Sequence, residues 1–92
     1  MRTGSLEVRA TASLLSHARV GVIVPKFKRS GVDRNRLKRR LRELIRLRLL
    51  HAVPHADIVV RADPAAYDAS FDQLAAQIDR ARTQLCRLFP AG

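Results

Sequence analysis

Seven of the fourteen residues in DRNRLKRRLRELIR, positions 33–46, are arginine or lysine. Side chains of these types at that density do one kind of chemistry well. Arginine forks hydrogen-bond phosphate oxygens in pairs, and lysine adds point charge. From Lys26 to Arg48 there are eleven bases against two acids, Asp33 and Glu43, a net +9 out of the chain's +10. Self-repulsion on that scale costs stability, and an anionic polymer relieves it. The acids do not alternate with the bases, as they would on a salt-bridged solvated face. The expected surface is one that binds a polyanion.

Other chemistry finds little support. His51 and His55 are four apart, but Pro54 interrupts them and no cysteine or third histidine nearby completes a set, so no metal site is expected. His17 has no acidic or nucleophilic neighbour and reads as a surface residue. Cys86, the one cysteine, falls beside an apolar helical stripe without a local histidine and reads as a packing residue. A single cysteine forms no intramolecular disulfide, which favours a reducing compartment. Asp57, Asp63, Asp68, Asp72 and Asp79 fall at strand ends, turns and helix starts, and nothing selects a catalytic pair among them. No glycine-rich phosphate loop is present. These residues describe a binder, with no catalytic residue to assign.

The elements that must position the cations follow from hydrophobic period. SLEVRAT (5–11) alternates with Leu6, Val8 and Ala10 on one side, the pattern of a half-buried strand. RVGVIVP (19–25) is a β-branched run ended by Pro25 and predicts a more deeply buried strand, with SLLSHA between the two turning a hairpin. KFKRSGV (26–32) is a basic loop jointed at Ser30-Gly31, and Asp33 stands where an N-cap belongs. Leu37, Leu41, Leu44 and Ile45 then share one helical stripe about 100° wide, opposite Asn35, Arg39, Arg42 and Arg46, with Arg36 and Arg40 as a second ridge. The helix should end near His51 to Val53, before Pro54. ADIVVRA (56–62) predicts a strand covered on both faces, followed by a loop opened at Asp63-Pro64. Ser70 and Gln73 match a capping box, and Phe71, Leu74, Ala75, Ile78, Ala81 and Leu85 mark an amphipathic helix to about Leu88.

Strand, strand, helix, strand, helix is an α+β order. Segments 19–24 and 57–61, joined by the basic helix, should be parallel neighbours. The architecture expected is a two-layer α/β sandwich, with one small sheet carrying the helices. Ninety-two residues make a single domain, 1–92, with a thin core. The N-terminus lacks a signal-peptide apolar segment, and no run approaches the roughly 20 apolar residues that span a bilayer. A soluble, cytoplasmic protein is expected.

RNRLKRRLRE (34–43) resembles the signature of the bacterial ribonuclease P protein subunit. The resemblance covers about residues 19–88. It includes the RVGVIV strand and basic loop before the signature, and the DIVVRA strand, short Pro-Ala loop and SFDQL helix after it. It implies an RNA-binding subunit of a ribonucleoprotein that removes the 5′ leader from precursor tRNA. The catalytic site and its Mg²⁺ would lie in the RNA, and the protein would bind no cofactor alone. The partners implied are the catalytic RNA and precursor tRNA, with no DNA or membrane partner. The implied fold resembles domain 2 of ribosomal protein S5, with a left-handed crossover where the general rule favours the right-handed one. By position, Arg34, Asn35, Arg36, Lys38, Arg39 and Arg42 match the signature and are expected at the RNA, together with Arg40 and Arg46 on the same helix. The family binds the leader in a cleft between sheet and helix, and Lys26, Phe27, Lys28 and Arg29 are the candidates at its mouth.

Departures from the family pattern stand beside the match. Family members usually begin with an extra helix bearing aromatic residues, whereas this chain starts almost at SLEVRA, so that helix is missing or the start codon is misassigned. The strands carry no aromatic residue to stack leader bases, and Pro25-Lys26-Phe27 replaces the more usual Ser-Lys-Lys. Phe27 either offers a stacking face or tucks into the core. A different class of function, a standalone basic RNA-binding module of ribosomal type, would dock the same helix on phosphates without a catalytic partner. A DNA reader would pair its basic helix with another across a tight turn. A membrane-surface helix would need bulky apolar residues that the core here requires.

Overall fold

The computed structural model describes residues 1–12, 19–50, 52 and 56–88. Its most buried strand, β4 (Ala56–Ala62), holds the centre of the sheet. Along one edge β4 pairs antiparallel with β2 (Leu6–Ala12), and along the other it pairs parallel with β3 (Arg19–Ile23). A short strand, β1 (Arg2–Thr3), pairs antiparallel with β2, so the order is β1-β2-β4-β3. Helix α1 (Gly31–Arg48) crosses from β3 to β4, and α2 (Phe71–Leu88) follows a 3-10 turn at Pro64–Asp68. The α+β class and the parallel strand pair agree with the sequence reading. The expected hairpin between the first two long strands does not form, because β4 stands between them and occupies the inner edge of each.

Neither β3 nor β4 is covered on both faces. Ala56, Ile58, Val60 and Ala62 are buried while Val59 and Arg61 are exposed, and in β3 Val22 is buried while Ile23 is exposed. Leu37, Leu41, Leu44 and Ile45 of α1 join Leu74, Ile78, Ala81 and Leu85 of α2 and the inward strand residues in one core. The helices thus fill one side of the sheet, and the other side carries the exposed Arg9, Thr11, Val59 and Arg61. Each leucine or isoleucine so placed contributes about 1.5–3 kcal/mol.

Local chemistry explains the element ends. Ser30, not Asp33, caps α1, its hydroxyl accepting from the Asp33 N–H at 3.1 Å. Asp33 lies in the first turn instead, where its charge complements the helix dipole. The helix ends at Arg48, short of the residues expected, with the Leu49 N–H closing on the Ile45 carbonyl at 2.8 Å. The capping box of α2 forms as read: Gln73 N–H donates to Ser70 Oγ at 3.1 Å and Ser70 N–H to Gln73 Oε1 at 2.8 Å. Phe71 departs from its expected core place and is 45% exposed. Cys86 is likewise exposed, its thiol 3.9 Å from the Ala52 carbonyl oxygen.

The β1–β2 hairpin turns through Gly4-Ser5, with Gly4 at φ +72°, a conformation that L side chains rarely adopt. Its anchor is Gln77, buried on α2, whose Oε1 accepts from Ser5 N–H at 2.9 Å and from Ser5 Oγ at 3.0 Å. No helix among the described residues is long and apolar enough to cross a membrane.

Candidate nucleic-acid interface

Helix α1 has two faces because its apolar residues recur at helical spacing and its cations fill the gaps. With Leu37, Leu41, Leu44 and Ile45 locked into the core, Asn35, Arg36, Arg39, Arg40, Arg42 and Arg46 are turned to solvent. Among the described residues, no ion pair forms to Arg36, Lys38, Arg39, Arg40 or Arg42. Arg46 differs: Glu43 accepts its hydrogen bond at 2.8 Å, and that bond together with the carboxylate's charge raises the guanidinium pKa. Lys38 is half-buried. Arg34 is half-buried too, and its Nε donates to the Val24 carbonyl oxygen at 2.6 Å. That bond ties the end of β3 to the start of the helix, so Arg34 serves the fold with at least part of its fork.

The loop before α1 is held in an unusual shape. Phe27 (φ +46°) and Lys28 (φ +64°) are both left-handed, a conformation costing on the order of 1–3 kcal/mol per non-glycine residue. Opposing that strain, Arg29 N–H donates to the Lys26 carbonyl at 2.8 Å and Tyr67 Oη donates to the Pro25 carbonyl at 2.7 Å. The Phe27 ring meets Tyr67 edge-on, with centroids 6.4 Å apart. The Arg29 guanidinium lies 5.1 Å from the centre of the Tyr67 ring and also bonds Asp68 at 2.9 Å. Tyr67 is therefore the buttress of the basic loop, a role the sequence reading missed. Its only signal was being the chain's one tyrosine. Lys26, Phe27, Lys28 and Arg29 are all exposed, and Phe27 answers its own question by halves: 39% exposed, with one edge against Tyr67. Core side chains fill the boundary between α1 and the inner face of the sheet. Near the loop, a small hollow of about 100 Å³ lies between the loop, α1 and the 3-10 turn, lined by Arg29, Arg36, Arg40 and Tyr67 among others.

A family model described as Ribonuclease P matches residues 1–86. The chain belongs to the ribonuclease P protein family. The match takes in β1 and β2, ahead of the region where the sequence resemblance began. The chain is 39% identical to the ribonuclease P protein component of Streptomyces griseus over 85 residues, covering 92% of this chain and 69% of that protein. It is 47% identical to that of Acidothermus cellulolyticus over 60 residues, covering 65% of this chain and 50% of that one. Among solved structures, the Staphylococcus aureus RNase P protein superimposes with a TM-score of 0.74 at 26% identity, over 91% of this chain and 76% of that one.

In this family member every carboxylate has a local structural place. Six are ion-paired: Glu7 with Arg9, Glu43 with Arg46, Asp57 with Arg19, Asp63 with Arg2, Asp68 with Arg29 and Asp79 with Arg48. Asp33 and Asp72 lie in the first turns of the two helices. The partners of five of these six pairs lie off the exposed ridge of α1, leaving that ridge cationic. His17, His51 and His55 lie outside the described residues.

Proposed function

We propose that this chain is the protein subunit of ribonuclease P, assisting RNA-catalysed removal of the 5′ leader from precursor tRNA. The solvent-facing ridge of α1, with Arg36, Arg39, Arg40 and Arg42 at its centre, binds the catalytic RNA by phosphate contacts. Asn35 and Lys38 orient the contact, Arg46 extends it, and Arg34 holds the loop that enters it. Lys26, Phe27, Lys28 and Arg29 face the leader. The catalytic Mg²⁺ belongs to the RNA, and the protein's cations lower the concentration at which it suffices by neutralising neighbouring phosphates.

The observation that carries this reading is that Arg36, Arg39, Arg40 and Arg42 stand exposed on the ridge with no ion pair among the described residues. A core-locked helix that presents several arginines without carboxylate partners is a preorganised polyanion surface. Membership of the ribonuclease P protein family supports RNA as that polyanion. The test is reconstitution with a bacterial ribonuclease P RNA at low Mg²⁺, following precursor-tRNA cleavage. A marked gain in cleavage over RNA alone is expected. No gain, with RNA still bound, would favour the standalone RNA-binding module.

A further inference from the structure

Phe71 is the first residue of α2 and continues the apolar stripe of Leu74, Ala75 and Ile78, yet the core ends at Leu74 and the ring stands 45% exposed. It does not stand alone. A shallow hollow of about 530 Å³ is lined by Phe71 together with Arg39, Arg40, Arg42, Glu43 and Arg46 of α1. Four guanidinium-bearing residues and one carboxylate thus surround a single exposed aromatic ring. The carboxylate is occupied, since Glu43 holds Arg46 at 2.8 Å. The Ser70–Gln73 capping box fixes the backbone that presents the ring, with Asp72 beside it in the helix's first turn.

We propose that Phe71 is a stacking platform for an unpaired nucleotide of RNA, with Arg39, Arg42 and Arg46 holding the phosphates on either side. The pairing of chemistries carries this. An aromatic face binds the flat face of a base without regard to its hydrogen-bonding edge, while guanidiniums take the backbone. Bases inside a duplex hide those faces, so the ligand is single-stranded. The charge around the ring selects a polyanion over an ordinary protein partner. This site rests on the RNA-binding reading above and adds to it a residue outside the basic helix and the basic loop.

The test compares a labelled 12-nucleotide oligoadenylate with a blunt RNA duplex of equal phosphate count, binding the full chain at fixed salt. Phe71→Ala should weaken single-strand binding by about 5- to 150-fold, the range stacking losses take, and duplex binding by less than about twofold. Phe71→Trp should keep single-strand affinity, and Phe71→Leu, which keeps the bulk without the ring face, should behave like the alanine variant. Circular dichroism checks each fold. If Phe71→Ala fails to fold, the Leu and Trp variants decide, and equal affinity between them overturns the proposal. Equal losses on strand and duplex would also overturn it, since the ring would then only shape the cationic face. Wild-type binding that is steep in salt but indifferent to every Phe71 substitution would leave the RNA-binding reading standing without the platform. Failure of the wild type to bind either RNA would remove both.

Discussion

Arg34 and Arg39 are the same side chain on the same helix, five positions apart, and their surroundings separate their roles. Arg34 spends its Nε on the Val24 carbonyl, while Arg39 is exposed without an ion pair among the described residues. Arg34→Ala removes a charged donor from a part-buried carbonyl and should cost about 1–2 kcal/mol of stability. The double variant Arg39→Ala plus Arg42→Ala should leave the melting temperature nearly unchanged. It should weaken RNA binding and flatten the log–log salt dependence by about 1.4–1.8, somewhat under one counterion per lost contact. Thermal melts beside a salt titration of both variants check the division. If Arg39→Ala plus Arg42→Ala melted early instead, the outward ridge would be part of the scaffold.

At the scale of elements, the start of α1 offers a sharp comparison. Ser30→Ala deletes the hydroxyl that accepts from Asp33 N–H and should cost about 1 kcal/mol. Asp33→Ala removes only a first-turn charge and should cost roughly 0.3–1 kcal/mol. Denaturant melts of the two variants rank them, and the reverse order would return the cap to Asp33. Both residues are good caps by type, and sequence alone favoured the acid because Gly31 suggested a loop still running. The two long helices were legible because their apolar residues recur over four or five turns. The α2 capping box was legible because both partners lie within four residues. What escaped was set by distant partners. The pairing of β2 with β4 depends on residues about fifty positions apart, and which sheet face is covered depends on where both helices dock. The two-residue strand β1 is too short to show any period. The cationic side of α1 was visible from spacing, but the diversion of Arg34 to Val24, the buttress at Tyr67 and the exposure of Phe71 all arise from tertiary contacts.

For the whole molecule, a formal charge of +10, of which a net +9 lies between Lys26 and Arg48, means that the free fold is strained by its own field. Multivalent anions should relieve this. Millimolar tripolyphosphate should raise the melting temperature by several degrees, more than chloride at equal ionic strength, because a ligand that binds the folded state stabilises it by mass action. Scanning calorimetry with and without the anion checks this. An identical rise in the Arg39→Ala plus Arg42→Ala variant would show that the anions act elsewhere. The placement of β4 bears on how the protein is made. Because that strand supplies the seam to which both β2 and β3 attach, neither can settle in the sheet until residues 56–62 have left the ribosome. During synthesis the cationic helix also emerges before α2, against which it packs, so its leucines stay partly uncovered beside the ribosome's own RNA. Assembly should come late and nearly all at once, with the completed chain.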